Sequence, residues 1–277
     1  TGFCQGLGAT LAVLVLGKFP QRLAADGIDA ITAGQITLGL GSALCLLSAL
    51  VCWSGLRRGT PSEIGEREPL AKLLRAGFAA ARSNPRIWFA YLLQFVSFAD
   101  RIVIGTFFSA RLQQTAIANG QTVGEAVSAA TRPFVIANVS ALIFAVFFGL
   151  LLDRLNRIAA GVIAMLIAGA GYMAGGFVGD PSSEWIVPVA IMLGMGQICA
   201  IIASQTVLGQ EAPRDVRGAV FGLAGIFASF GILFTTAFGG WLYDLVDRSA
   251  PFFLIGTVNF GVMIFGLMLL RQNTSRS

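Results

Sequence analysis

Two adjacent charged residues, Asp100 and Arg101, lie inside a long apolar stretch of the sequence. A charge within a membrane-spanning helix opposes insertion by about 2.5–3.5 kcal/mol, so such residues mark candidate functional sites. Neighbouring residues on a helix point about 100° apart, so each of the two needs its own partner. A carboxyl group inside a span suits proton coupling, and an arginine suits two-pronged contact with a carboxylate on a substrate. The alternative for the pair is a structural ion pair with a neighbouring helix.

Further polar side chains fall within similar apolar stretches. Gln94 precedes Arg101 by seven residues, which places the two on nearly the same helix face. The other members of this group are Asn138, Gln197, Ser204 and Gln205, of which the last three share a face by their spacing. We interpret the group as a polar lining for a substrate. Hydrogen bonding between helices is the alternative for each member.

Eight apolar blocks form the elements that must position these residues. The sequence is 56% hydrophobic and 12% charged, with a mean hydropathy of +0.77, whereas a soluble domain carries about 25% charged residues. A helix of about 20 apolar residues crosses the ~30 Å of hydrocarbon in a bilayer. We therefore predict an all-α polytopic membrane protein, surrounded by lipid, with eight transmembrane helices at 2–20, 33–54, 87–109, 133–152, 158–178, 185–208, 219–243 and 251–270.

The positive charges predict the orientation in the membrane. Thirteen Lys and Arg residues lie on the side of the linker that follows the second span, and five lie on the other side. An excess of positive charge marks the cytoplasmic side, so both termini are expected there, in a multi-pass protein of the inner (plasma) membrane. Because the charges are scattered between spans, no nucleic-acid partner is expected. The absence of His and the dispersed cysteines predict no metal and no cofactor.

Residues 57–86 form the one long hydrophilic stretch. Pro69 suits the start of a helix, and the apolar residues after it fall on one face: Leu70, Leu73, Leu74, Phe78 and Ala81. Basic residues occupy the other faces. We interpret this segment as a cytoplasmic linker with a short amphipathic helix on the membrane surface. A solvated linker without lipid contact is the alternative.

An internal repeat suggests that the architecture is duplicated. A Gly-x-x-x-Gly-Leu pattern at residues 2–7 recurs 216 residues later at residues 218–223, and each copy opens a pair of spans of matched length. Such a repeat predicts two homologous halves. Counterparts of the four spans between the copies would precede residue 1. We therefore expect a fragment, whose missing N-terminal helices are partners of this chain in the same protein.

The sharpest motif is Gly149-Leu-Leu-Leu-Asp153-Arg154-Leu-Asn156-Arg157, in a short turn between two spans. It resembles Gly-x-x-x-Asp-Arg-x-Gly-Arg of the major facilitator superfamily, which joins the second and third helices and recurs more loosely between the eighth and ninth. Asn156 stands where that family usually has Gly, and Asn tolerates left-handed turn geometry. Flanking charge and a turn would explain the arginines but not Asp153. The resemblance implies a partial major facilitator fold that covers helices five to twelve.

A second motif, Glu211-Ala-Pro-Arg-Asp-Val-Arg217-Gly, resembles the family's segment between the tenth and eleventh helices. The resemblance implies a cytoplasmic gate in which Glu211 and Arg217 join the residues Gly149, Asp153, Arg154 and Arg157. Ion pairs in such a gate hold the inside closed and must break for it to open. We expect Glu211 to lie near Arg154, Arg157 or Arg217 in every state.

The resemblance also predicts a contact that changes between states. Asp153 should lie against the start of the fifth family helix, near Gly2, when the protein is outward-open or occluded. A carboxylate at a helix N-terminus is favourable by about 0.3–1 kcal/mol. When the protein is inward-open, this contact should be lost.

These observations predict three parts and one function. Residues 1–56 would be the last two helices of an N-terminal bundle, 57–86 the linker, and 87–277 a C-terminal six-helix bundle. The implied function is secondary active transport of a small organic solute by alternating access, with protons as a candidate coupling ion. The chain has no Gly-x-x-x-x-Gly-Lys-Ser/Thr loop for ATP. The alternatives are a non-transporting membrane sensor and a polytopic membrane enzyme. An enzyme would need a constellation of catalytic residues, and the sequence contains no recognisable one.

Overall fold

Ten α-helices and two π-helical segments make up the part of the chain that the structure describes. It is a computed structural model that describes residues 19, 22–23, 27–55, 69–152 and 154–274. The α-helices are α1 (Ala30–Gly55), α2 (Leu70–Ser83), α3 (Pro85–Ile102), α4 (Ser109–Ala118), α5 (Val123–Leu152), α6 (Arg157–Phe177), α7 (Ile186–Glu211), α8 (Arg217–Phe234), α9 (Gly240–Leu245) and α10 (Ala250–Thr274). The π-helical segments are Val103–Phe108, which joins α3 to α4, and Thr235–Gly239, which joins α8 to α9.

Seven membrane-spanning helices are present among the described residues, which confirms the predicted all-α polytopic fold. Five of them correspond to one α-helix each. The other two, Pro85–Ala118 and Arg217–Leu245, each continue through a π-helical segment. The predicted span at residues 2–20 lies outside the described residues.

Helix α5 begins about ten residues before the predicted start of its span at residue 133, and a capping box explains the difference. The Thr122 N–H donates to Glu125 Oε2 over 2.9 Å, and the Glu125 N–H donates to Thr122 Oγ1 over 3.4 Å. A Thr-x-x-Glu pattern of this kind satisfies the first backbone donors of a helix. Pro133 therefore lies inside α5 rather than at its start. The apolar run that guided the prediction begins only after this proline.

Helix α2 begins at Leu70, directly after Pro69, as the sequence predicts. Its buried face consists of small residues, Gly77, Ala80 and Ala81, and packs against α8. The Tyr91 hydroxyl of α3 donates to the Gly77 carbonyl over 3.3 Å. Leu70 on the outer face remains 68% exposed, an arrangement that suits a helix at a membrane surface. The segment predicted as a linker therefore ends in a helix fixed to the bundle.

The described helices belong to two compact units, α1 to one and α2–α10 to the other. Helix α1 is apolar on all sides, and several of its leucines are exposed, as expected for a helix surrounded by apolar groups. In the bundle of α2–α10, α6 packs against α7 and α10, α7 against α3 and α5, and α3 against α8 and α10. The ends at which α3, α6 and α8 begin are called the linker end below. The ends at which α4 and α9 finish are called the opposite end.

Several glycines allow helix backbones of the bundle to touch, and two of them, Gly194 and Gly231, make the closest such contacts. A Cβ at Gly194 of α7 would lie 1.9 Å from the Ala137 carbonyl oxygen of α5. A Cβ at Gly231 of α8 would lie 2.1 Å from the Phe95 carbonyl oxygen of α3. Both neighbours are backbone atoms, which cannot rotate away. Small residues at such contacts give membrane helices their closest packing.

Replacing Gly194 with Ala should therefore separate α5 from α7 and destabilise the bundle by about 1–3 kcal/mol, the usual range for overpacking. Thermal unfolding of the purified protein in detergent measures this change. Gly209→Ala in the same helix is the matched control, because no atom lies within 4 Å of a Cβ built there. Equal melting temperatures for the two variants would contradict the backbone contact.

Candidate functional site

Asp100 lies in the interior of the bundle, where its side chain is fully buried. The Asn259 side-chain amide of α10 donates to Asp100 Oδ1 over 3.1 Å and also to the Ile255 carbonyl over 2.9 Å. The other carboxyl oxygen, Oδ2, has no hydrogen-bond partner among the described residues, and neither has Asn259 Oδ1. The carboxyl therefore lies at a polar interface between two helices, away from the lipid-exposed surface. No described cationic side chain forms an ion pair with it.

The backbone of Asp100 is held by a third helix. The Tyr172 hydroxyl of α6 donates to the Asp100 carbonyl oxygen over 3.0 Å. Asp100 is close to the end of α3, where the π-helical segment begins. The Val103 N–H donates there to the carbonyls of both Ala99 and Asp100. Tyr172 thus supplies an additional donor where the hydrogen-bond pattern of the helix changes. Asp100 connects α3 to α6 through its backbone and to α10 through its side chain.

Arg101 is exposed, unlike its neighbour in the sequence. Its guanidinium carbon lies 5.9 Å from the centre of the Phe98 ring, within the range of a cation–π interaction. The two charges point in different directions, as adjacent positions on a helix require. Gln94, two turns before Arg101, is buried, and its Oε1 has no described partner. Gln94 and Arg101 therefore differ in burial, although their spacing predicts a common face.

The remaining predicted lining residues have different environments. The Ser204 hydroxyl of α7 is buried and donates to the Ala90 carbonyl of α3 over 2.8 Å, a contact between helices. The Asn138 amide donates to the Phe134 carbonyl of its own helix over 2.9 Å. Gln197 is half-buried and Gln205 is exposed. Among the described residues, no hydrogen bond joins these side chains to one another.

At the linker end, Glu211 pairs with residues at the start of α3. Its Oε1 accepts from Arg86 Nη1 over 2.8 Å, and its Oε2 accepts from Asn84 Nδ2 over 2.8 Å. Asn84 is also the N-cap of α3, since its side-chain oxygen accepts from the Arg86 N–H over 3.1 Å. Arg157 lines the same cavity of about 230 Å³ as Arg86 and Glu211. One acidic side chain thereby joins the end of α7 to the start of α3.

The other predicted gate residues have their own environments. Arg217 Nη2 donates to the Gly209 carbonyl over 2.6 Å rather than to Glu211. Arg154 is exposed, and a Cβ at Gly149 would meet no atom within 4 Å. Asp153 and Gly2 lie outside the described residues. Asn156 has an extended backbone with φ −61° and caps α6 by accepting from the Ile158 N–H over 2.9 Å, so the expected left-handed turn is not formed there.

Sequence reasoning missed the partners that hold these groups. Asn259 and Tyr172 are polar residues within spans, and the energetic penalty that marks Asp100 marks Asn259 too. Arg86 is one of the thirteen positive charges that predict the orientation, and its sequence position indicates no partner. The Asn84-Pro85 pair before an apolar run was a signal for a helix start, since Asn favours the N-cap and Pro the first turn. No pattern in the sequence indicates that Glu211 is the acidic residue that pairs with Asn84 and Arg86.

Known proteins share this architecture. The family model described as the Major Facilitator Superfamily matches residues 90–277. The chain is 27% identical over 274 residues to the magnetosome protein MamH of Paramagnetospirillum magneticum, covering 98% of this chain and 60% of MamH. It is 25% identical over 206 residues to the magnetosome protein MamZ of Magnetospirillum gryphiswaldense, covering 74% of this chain and 31% of MamZ. The crystal structure of the transporter FucP in the outward conformation is 18% identical, with a TM-score of 0.53, covering 90% of this chain and 57% of FucP.

The membrane-spanning bundle and these similarities define an integral, multi-pass membrane protein. The chain belongs to the Major Facilitator Superfamily, which confirms the resemblance seen in its motifs. The FucP comparison shows that the fold is shared. The chain spans 60% of the length of MamH and 31% of that of MamZ, so it corresponds to part of each relative.

The contact of Ser204 with Ala90 leads to a prediction that separates packing from substrate contact. Ser204→Ala should lower the free energy of unfolding by about 1 kcal/mol, because it removes a buried hydrogen bond between helices. Thermal unfolding in detergent measures this loss. Thr206→Ala is the control, since among the described residues the Thr206 hydroxyl bonds to the Ile202 carbonyl of its own helix alone. A variant that keeps full stability but loses substrate binding would instead place Ser204 in the substrate site.

Proposed function

We propose that this chain is part of a secondary active transporter that moves a small organic solute by alternating access, with a proton as the coupling ion. The observation that carries the proposal is the fully buried Asp100 carboxyl, which has one amide donor and one oxygen without a described partner. A buried carboxylate without a cation is unfavourable, so the group suits reversible protonation. Transport driven by a proton gradient requires a group that can bind and release a proton inside the membrane.

The linker end of the bundle is the proposed cytoplasmic gate. The excess of Lys and Arg on that side supports a cytoplasmic position for it and for both ends of the chain. Glu211, Arg86 and Arg157 lie together around one cavity there. The side chains of Arg86 and Glu211 are 39% and 24% exposed, so their pair alone contributes only about 0–1 kcal/mol. Weak pairs of this kind can break and re-form during gating. Gly149, Asp153, Arg154 and Arg217 complete the proposed gate.

Arg101 is the proposed substrate contact of the bundle. It is exposed, and its planar guanidinium could bind a carboxylate by two parallel hydrogen bonds. Gln94, Asn138, Gln197 and Gln205 are the further candidates, whereas the hydrogen bond of Ser204 supports a packing role. Because this chain spans about three fifths of MamH, we propose that helices of the same protein beyond this chain complete the site. Experiments on transport therefore need the full-length protein.

The location is a further part of the proposal. A multi-pass transporter of this kind is expected in the inner membrane. Two relatives carry the name magnetosome protein, which supports the magnetosome membrane as a second candidate location. Membrane fractionation followed by detection of a tagged full-length protein would distinguish the two.

A non-transporting sensor and a membrane enzyme are the competing functions. A sensor could keep the whole fold, so only a measurement of transport separates it from a transporter. Proteoliposomes containing the full-length protein should accumulate at least one labelled solute from a screen of organic acids, sugars and amino acids when a proton gradient is imposed. Binding of a solute without any movement across the membrane would support the sensor.

Asp100→Asn should abolish accumulation driven by a proton gradient, while exchange of substrate without a gradient should continue. The amide has nearly the same shape but cannot take up and release the proton. Paired uptake and exchange measurements in proteoliposomes test this, with thermal unfolding as a check on folding. Glu184→Gln is the matched control, because it makes the same chemical change at an exposed position. Normal accumulation by Asp100→Asn would place the coupling elsewhere.

Arg101→Lys should weaken substrate binding, since lysine offers a point charge in place of a planar fork. The expected result is a higher KM for exchange with no change in melting temperature. Arg248→Lys is the control, at an exposed position close to the opposite end. If Arg101→Lys leaves the KM of every transported carboxylate unchanged, Arg101 does not contact the substrate.

A further inference from the structure

The first π-helical segment places a series of residues of one membrane span on a single face. The residues, which follow one another at intervals of four, are Arg101, Gly105, Ser109 and Gln113. In a continuous α-helix each such step turns by about 40°, so Gln113 would lie about 120° around the helix from Arg101. In the segment Val103–Phe108 the hydrogen bonds close over five residues instead of four, which puts more residues into each turn and reverses this drift. The series therefore follows one line along the span.

Three residues of the series line one cavity, which supports this alignment. The cavity has a volume of about 120 Å³ and lies between this span and α5. Its lining residues are Gly105, Ser109, Gln113, Ala130, Thr131 and Phe134. Gly105 helps to keep the cavity open, since the nearest atom to a Cβ built there is Phe134 Cε2 at 4.0 Å. The cavity has room for several water-sized groups.

A polar line of this kind does not suit a surface covered by lipid. In the part of the protein that the structure describes, Arg101 and Gly105 are exposed, and Ser109 and Gln113 are half-buried. Charged and polar groups within a span face the interior of a bundle or water, because lipid offers them no hydrogen bonds. This face is therefore suited to an aqueous path, and it carries Arg101, the proposed substrate contact.

The polar side chains of the cavity retain hydrogen-bonding capacity. Among the described residues, the side chains of Ser109 and Gln113 make no hydrogen bond. The Thr131 hydroxyl donates to the Val127 carbonyl over 2.8 Å, which leaves its oxygen able to accept. Hydroxyl and amide groups donate and accept, as the hydroxyl groups of a ligand do. No acidic side chain is among the described residues that line the cavity, so it offers no ionic partner to an ammonium group.

The separation of Arg101 from the cavity indicates the length of the ligand. Gly105, at the near edge of the cavity, follows Arg101 by about 6 Å of helix axis. The Arg101 guanidinium lies 5.9 Å from the ring centre of Phe98, which precedes it in the span. A ligand that reaches from the guanidinium into the cavity must therefore be a chain of several carbon atoms with an anionic end and a polar, uncharged end.

We infer that the substrate is a hydroxylated carboxylate, such as a sugar acid. Arg101 binds its carboxylate, and Ser109, Gln113 and Thr131 bind its hydroxyl groups in the cavity. An acid without hydroxyl groups would leave these side chains without partners, and a neutral polyol would leave the arginine without its anion. The inference rests on the proposed function, since it takes Arg101 as the substrate contact, and it adds the chemical class of the substrate.

The test measures binding to the purified full-length protein in detergent by isothermal titration calorimetry, so it does not depend on transport. Three probes have carbon chains of equal length. Gluconate carries a carboxylate and hydroxyl groups, hexanoate carries the carboxylate alone, and glucitol carries hydroxyl groups alone. Gluconate should bind at least about tenfold more tightly than either of the others, because several hydrogen bonds to the cavity add to the contact with Arg101.

Variants of the cavity should change this preference rather than binding in general. Thr131→Val and Gln113→Leu should each weaken gluconate binding about three- to tenfold and leave hexanoate binding unchanged. Arg101→Gln should weaken the binding of both acids by the same factor and so keep their ratio.

Thr115→Val is the matched control for Thr131→Val. Each hydroxyl donates to a carbonyl of its own helix four residues earlier, but only Thr131 lines the cavity. Thr115→Val should bind gluconate as tightly as the unchanged protein does. Melting temperatures of all variants check that they are folded.

Three results would overturn the inference. The first is equal affinity of the unchanged protein for gluconate and hexanoate. The second is a pair of folded cavity variants that both bind gluconate as tightly as Thr115→Val does. The third is a failure of gluconate, glycerate and galacturonate alike to bind. Tight, cavity-dependent binding of gluconate by a protein that moves no solute into vesicles would support the inference about the ligand and refute the proposed transport alone. Transport of hexanoate without any preference for gluconate would support transport and refute the inference.

Discussion

The hydrogen bond between the Asn259 amide and the Asp100 carboxyl determines how the centre of this bundle can be arranged. Lipid offers no water to a polar group, so a buried carboxyl must find its partners on neighbouring helices. Asp100 finds one on α10 and, through its backbone, another on α6. These contacts bring three helices together at the point where α3 changes to a π-helical segment. The packing, the bend and the proposed coupling therefore meet at one residue.

Most of the fold follows from physics that is visible in the sequence. Apolar blocks of the right length predict the spans, and Pro69 predicts the start of α2, because these signals act locally. The start of α5 escaped prediction because the capping pair of Thr122 and Glu125 is polar and lies ahead of Pro133. The π-helical segments escaped because no proline or change of periodicity marks them. Local signals define helices well, whereas a change in hydrogen-bond register depends on tertiary packing.

The candidate site was predictable in its members but not in its contacts. The energetic penalty for a charge inside a span selects Asp100 and Arg101 without knowledge of the fold. It does not say that Asp100 turns inward to Asn259 while Arg101 turns outward, since both faces of α3 are largely apolar. Similarly, the motif selects Glu211, but its pairing with Arg86 depends on how α7 and α3 meet at the linker end. Long-range pairing of side chains requires the three-dimensional arrangement.

The contact between Gly194 and Ala137 has a consequence for how motion in this family member can be observed. Side chains can change rotamer to absorb a shift between helices, but two touching backbones have no such freedom. Helices α5 and α7 should therefore keep the same separation in every conformation. The pair provides an internal frame of reference, with respect to which displacements of all other helices can be expressed without choosing an arbitrary superposition.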